Sequence, residues 1–413
     1  MTFLVALWTV LFKWASALPG GLGYLKYLPD GILLIMLLVF FGSGKVTLRR
    51  TILTPLQIVG GFFTYCLFVY LLQYQSLAYF LWGLRNTFRF FIAFFAFVVF
   101  FDESDVSAWF KVMDILFWVN AVMSVIQFAL LKVDGDFLGG IFGIQDKSNG
   151  YTLCLLCVVA TKSLLTAFNR TEPFARSMIK CGVSILVAAM AELKVYFFLF
   201  ALLMVGAAVV TRFSVKKMIY LLLGAIVIMV GAALLVEWFG FQGFFSLKRL
   251  WESATRENYS SGDDINRISA IQSLSERIVT NPLQQFFGLG LGNCDTSSFA
   301  VCNTPFYQRY GYLHYTWFAS AMVFLETGYI GLGIYISFFA VCFVRAYQQY
   351  KLKLGNLLYN QLAIIISLLC VILLFYNSSL RIESGYMMYF VLALPFIQMK
   401  PEKLKNDSNT VLT

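Results

Sequence analysis

The stretch YQRYGYLHYTWFASAMVFLETGYIGLG, residues 307–333, decides how this chain is read. It opens with tyrosines, a tryptophan and the single histidine of the 413 residues, His314, then turns into an apolar run. Such an aromatic girdle ahead of a long apolar run marks a chain entering a membrane from a polar loop. Composition agrees: hydrophobic residues make up 60% of the chain, charged residues 13%, and the mean hydropathy is +0.77, which excludes a soluble globular domain. Apolar runs of about 17–25 residues recur from end to end without the alternation of barrel strands. The expected fold is therefore an all-α polytopic membrane protein.

Spans are expected near 2–18, 29–43, 52–73, 80–101, 107–131, 150–168, 178–192, 195–211, 218–237, 312–342, 358–376 and 384–399. The first resembles a signal peptide in ending Ala15-Ser16-Ala17, but it lacks a basic start and is read as an uncleaved helix. Twelve spans place both termini on the cytoplasmic side. The net charge of +10 is spread over short clusters at the ends of apolar runs, among them Lys45 to Arg50, Asn169 to Lys180 and Arg345 to Lys353. That is the positive-inside pattern, so the charge orients the protein and calls for no nucleic-acid partner. The chain divides into helices one to nine (1–237), a large outer loop (238–311) and helices ten to twelve with a cytoplasmic tail (312–413). Within the loop a helix is expected over about 264–279, with Ile265, Ile268, Ile271 and Leu274 on one face, broken at Asn281-Pro282.

Several motifs carry less than they first suggest. The run Gly288, Gly290, Gly292 follows no strand and opens no βαβ unit, so it is read as a turn that brings the backbone close to a ligand or another helix. Cys154 and Cys157 form a C-x-x-C inside an apolar helix, where small buried residues are expected. Cys294 and Cys302, both in the outer loop, are expected to form a structural disulfide. With one histidine and only the acid pairs Asp134/Asp136 and Asp263/Asp264 facing outward, the reading is metal-free and without cofactor. Charges in or beside spans tell more, because each costs about 2.5–3.5 kcal/mol at a helix centre unless paired or hydrated. Arg85 and Arg89 lie one turn apart in span four, and Glu192 and Lys194 occupy the hairpin before span eight. His314, at the join of loop and membrane, is the one side chain suited to take a proton near neutral pH.

The order R-I-S-A-I-Q-S-L, N-P-L, F-G-L-G-L-G (Arg267 to Gly292), then H-Y-T-W-F and F-L-E-T-G-Y-I-G-L-G (His314 to Gly333), resembles the bacterial O-antigen ligase and polymerase superfamily. There a long periplasmic loop carries an arginine, then Pro and G-x-G, then a histidine ahead of a helix with Glu-x-Gly, matched here by Glu326 and Gly328. Lys194 stands where that family has an arginine, and Tyr315 follows the histidine where its ligases have asparagine. Arg277 with Gly288 also fits an arginine, ten residues, glycine spacing of the polymerases, which tilts the reading that way.

The resemblance implies glycosyl transfer outside the bacterial inner membrane, from a polyprenyl diphosphate-linked oligosaccharide to a sugar hydroxyl. It also implies membrane lipids as surroundings, with a flippase and a chain-length regulator as partners. On this reading His314 is the catalytic base, and Lys194, Arg267 and Arg277, with Arg85 and Arg89, bind the diphosphate or the glycan. Glu326 is expected about three turns deeper along the same helix as His314, in a structural role. A ligase acting on a lipid A core differs in its acceptor. A flippase or secondary transporter would instead show midplane charges and a repeat.

Overall fold

The structure is a computed structural model, described here for residues 2–42, 50–133, 135–145, 148–211, 215–239, 264–297 and 299–397. The described residues form helices and turns and no β-strand. Every one of the twelve expected segments contains a helix: α1 (Thr2–Ser16), α2 (Leu28–Gly42), α3 (Arg50–Leu72), α4 (Leu77–Phe100), α5 (Glu103–Val125), α6 (Ser148–Asn169), α7 (Phe174–Met190), α8 (Lys194–Val210), α9 (Val215–Phe239), then α13 (Ala319–Leu352), α14 (Leu357–Tyr376) and α15 (Gly385–Ala393). Among the described residues seven segments are long and apolar enough to cross a bilayer. The protein is thus a helical polytopic membrane protein. The nine residues of α15 rise only roughly 14 Å, less than half of a hydrocarbon core, before the chain turns through buried residues to Ile397.

Burial sorts the helices. The apolar window of α6 is 94% buried and that of α3 only 28%, so α6 is apolar all round because it is the centre of the bundle and α3 because it faces lipid. Against this centre packs an aromatic core in which Phe90, Phe91 and Phe94 of α4 meet Phe338 and Tyr389, and Phe97 meets Phe390. The segment after α5 is tied down by two buried amides: Gln127 bonds both the N–H (2.7 Å) and the carbonyl (2.8 Å) of Gly140, and Asn120 accepts from the Ile141 N–H.

The loop differs from expectation. Its helix runs only from Ala270 to Arg277 (α10), and Ile268 is 73% exposed rather than on the buried face with Ile265 and Leu274. Asn281-Pro282 does not simply break a helix. The Asn281 side chain accepts from the Leu283 N–H and Pro282 sits in the first turn, starting α11 (Pro282–Phe287). A third short helix, α12 (Pro305–Tyr310), leads to the rim. Asp134, Asp263 and residues 240–263 lie outside the described residues.

Candidate functional site

The glycine run positions the site. Its backbone passes between α4 and α13 at two crossings. Gly292 (φ 83°) lies so close to α4 that a Cβ there would collide with the Tyr79 carbonyl, and Gly83 of α4 is its counterpart. Gly288 (φ 80°) lies against α13, where a Cβ would sit 2.5 Å from the Glu326 carbonyl carbon. Gly290, between them, also adopts positive φ. Of the two readings for this run, ligand or neighbouring helix, its contacts here are with helices. At the second crossing α13 is interrupted: Gly328 has φ 65° and ψ −170°, and the helix resumes after it. The carbonyls this break releases find other donors, Leu325 from the Leu289 N–H (2.8 Å), Glu326 from the Gly290 N–H (3.1 Å) and Thr327 from the Tyr65 hydroxyl (2.8 Å).

The glycine run carries Asp295 into a buried polar network at this end of the bundle. Arg381, in the turn between α14 and α15, bonds Glu326 (3.1 Å) and approaches Asp295 (3.5 Å). The Asn86 amide donates to Asp295 (2.7 Å), and its oxygen accepts from Arg85, which also pairs with Asp30 at 2.8 Å. Arg89 pairs with Glu383 at 2.6 Å and donates to the Arg381 carbonyl, while the Tyr151 hydroxyl donates to Glu383 at 2.7 Å. Burial alone would push the Glu383 carboxyl up, but the Arg89 guanidinium and the Tyr151 hydroxyl hold it below the usual carboxylate range. Three arginines and four carboxylates therefore form one joined structure, in which Arg85 and Arg89 are already engaged by acids. Beside them an apolar cavity of about 400 Å³ is walled by Leu34, Leu37, Phe63 and Ile92 and ends at Asp30, Arg85 and Arg89.

Above this network lies the rim. The Ile265 N–H donates to the Leu313 carbonyl at 3.2 Å, which brings the start of the described loop against the residue before His314. His314 is not in the helix. It is exposed, adopts φ 55°, and stacks on Trp317 at 4.2 Å, in a pair of 3₁₀ turns that ends before α13 begins at Ala319. Glu326 accordingly does not continue a helix from His314; it belongs to the buried network, two turns into α13. Arg267 donates to the Tyr376 hydroxyl at 2.8 Å and lies 4.4 Å over that ring, at the end of α14. Next to Tyr376, the Asn377 carbonyl accepts the Ala319 N–H. Tyr315, beside the histidine, is fully buried and donates to the Cys294 carbonyl at 2.7 Å.

Other expected site residues lie elsewhere in this frame. Lys194 pairs at 2.7 Å with Glu192 across its own hairpin, and Arg277 is exposed at the end of α10. The expected disulfide is absent: Cys294 and Cys302 are both free. Cys294 is buried in an apolar cluster with Leu313 and Tyr315, whereas half-buried Cys302 ends an exposed 3₁₀ turn. Burial pushes the Cys294 thiol well up from its ordinary value. Among the described residues no three His, Cys, Asp or Glu side chains converge as metal ligands do.

Reasoning from sequence missed Asp30, Tyr151, Asp295, Arg381 and Glu383. Arg381 and Glu383 did carry a signal, two opposite charges in a short turn between apolar runs, and Asp30 heads an apolar run. The architecture defines a membrane protein with a buried ionic network beneath a rim that carries exposed His314 and half-buried Arg267. Compared with family models and with curated proteins, the chain finds no match.

Proposed function

We propose that the protein is a membrane glycosyltransferase of polysaccharide assembly in the bacterial inner membrane, with twelve spans and its rim facing outward. It moves a glycan from a polyprenyl diphosphate carrier to the terminal sugar hydroxyl of another lipid-linked repeat unit. The observation that carries this reading is the Ile265–Leu313 backbone bond, which sets Arg267 and His314 on one rim. His314 takes the acceptor hydroxyl proton as the oxygen bonds to the anomeric carbon. The carbon–oxygen bond to the diphosphate breaks, its electron pair stays on the phosphate oxygen, and Arg267 stabilises the charge that develops there. An exposed imidazole suits a base that meets its substrate from outside. The apolar cavity ending in Arg85 and Arg89 offers room for the lipid chain. Arg277 and Lys194 add positive charge for the glycan or diphosphate, and the network beneath the rim is scaffold.

The test is purified protein in liposomes supplied with a lipid-linked repeat unit, its products resolved as a ladder. His314→Ala is expected to lower the rate by about 10²–10⁴-fold with thermal stability unchanged, because the ring is exposed. Product formed only when a lipid A core is added would convert the reading to a ligase. Movement of the lipid-linked unit across the bilayer with no new glycosidic bond would overturn it in favour of a flippase.

A further inference from the structure

One piece of the large loop leaves the rim and runs down the side of the bundle. Helix α3 has 23 residues and rises roughly 34 Å, close to the thickness of a hydrocarbon core, so its end at Leu72 lies near the bilayer surface. The contacts of α11 (Pro282–Phe287) lie below that end. Its Phe287 ring meets Phe68 of α3, four residues before Leu72, at 6.0 Å. The Tyr65 hydroxyl, from seven residues before Leu72 and so roughly 10 Å further in, is shared among the carbonyls of Thr327 (2.8 Å), Phe286 (3.2 Å) and Phe287 (3.4 Å). On the other side the Phe286 ring meets Tyr329 of α13 at 6.4 Å, and the Phe286 carbonyl lies where a Cβ on Gly328 would be. Gly328 is nine residues inside the outer start of α13, roughly 13 Å along the helix. Leu71 and Leu72, apolar and exposed, lie between this level and the end of α3, so the medium beside α11 is lipid.

The side chains and backbone of α11 fit that medium. None of its residues is buried, yet Leu283 is 66% exposed and Phe286 53%. Their face continues the lipid-facing surface formed by exposed Phe68 of α3 on one side and exposed Tyr329 and Ile330 of α13 on the other. The polar side turns inward, where the Gln285 amide donates to the Ser275 carbonyl of α10 at 2.9 Å. Without water each backbone polar group needs a partner from the protein. Asn281 accepts from the Leu283 N–H, the Gln284 carbonyl accepts from the Gly288 N–H at 2.7 Å, and Tyr65 serves the last two carbonyls of the helix. The Gly288 carbonyl that follows accepts from the Gln73 amide at 3.0 Å. Two polar side chains at the outer half of α3 are thus turned onto this one segment.

We infer that α11 is a re-entrant segment seated among the acyl chains of the leaflet on the His314 side, with Leu283 and Phe286 as its lipid contacts. This rests on the spanning fold alone and holds whether or not glycosyl transfer is the activity. Spin labelling of the full chain in liposomes of phosphatidylethanolamine and phosphatidylglycerol tests it. Seven of the eight cysteines are buried, so Cys302→Ser gives a background in which single labels are placed by Leu283→Cys or Phe286→Cys. Leu67→Cys on the lipid face of α3 and Glu276→Cys on exposed α10 serve as references. Collisions with oxygen, which concentrates in lipid, are compared with collisions with a nickel chelate, which stays in water. Labels at 283 and 286 are expected to follow Leu67, with oxygen collisions several-fold in excess, and the ratio is expected to reverse at Glu276. Nickel-dominated collisions at either α11 position would overturn the inference by placing the helix in water. Shielding from both reagents at either position would overturn it too, because a protein surface would then cover this face.

Discussion

Two regions of this helical bundle treat buried charge in opposite ways. At the rim end three arginines meet four carboxylates, and their planar forks reach several acceptors each, linking α2, α4, α13, the glycine run and the turn before α15. Midway along α5 two lysines, compact and flexible, share one aspartate within three neighbouring helices. Guanidinium geometry suits a closed network that fixes parts relative to one another; ammonium groups keep donors to spare. The comparison teaches where to look for chemistry. Charges inside the closed network hold the frame, and His314, exposed on the rim, is placed to meet something else.

That contrast can be broken experimentally. The largest effect is expected from Arg89→Met, which strands Glu383 in a buried site and should cost about 3–5 kcal/mol, read as a lower unfolding midpoint in a mild-to-harsh detergent series. Tyr151→Phe removes one hydrogen bond to the same carboxylate and should cost about 1.5–3 kcal/mol in the same assay. A pH series sharpens the point. Because the Glu383 carboxyl is held below its ordinary range, its contribution is complete above that range and is lost as pH falls through the lower folded value. Stability should therefore drop on the acid side, below about pH 4, and Glu383→Gln should flatten that limb. A slope unchanged in the variant would detach Glu383 from acid unfolding. The smallest effect is expected from Lys162→Gln, whose longer and partly exposed ion pair should change stability by about 0–1 kcal/mol in the same assay.

Much of the fold was legible because span length and basic clusters are local properties. The segment expected at 150–168 emerges as Ser148–Asn169, and the one at 195–211 as Lys194–Val210. The candidate site was legible only in fragments. Arg85 and Arg89 stand out as charges inside an apolar run, but Asp30 is 55 residues from Arg85 and Glu383 is 294 from Arg89. No local pattern joins such pairs; only helix packing does. The loop helix failed for a similar reason. Periodicity placed Ile268 on its buried face, whereas the chain before Ala270 is held by backbone bonding at Ile265 and leaves Ile268 in the open. The single histidine was conspicuous by type, but its left-handed, non-helical setting depends on contacts that spacing cannot encode.

The interruption of α13 at Gly328 has a consequence for biogenesis. The Leu325 and Glu326 carbonyls, with no helical partner of their own, are satisfied by Leu289 and Gly290, so this helix is complete only when the preceding loop has folded back against it. The ribosome makes the loop first. Its donors are therefore already outside the exit tunnel when the helix emerges, and lateral release of this helix from the insertion machinery into lipid is favourable only once loop and helix have met.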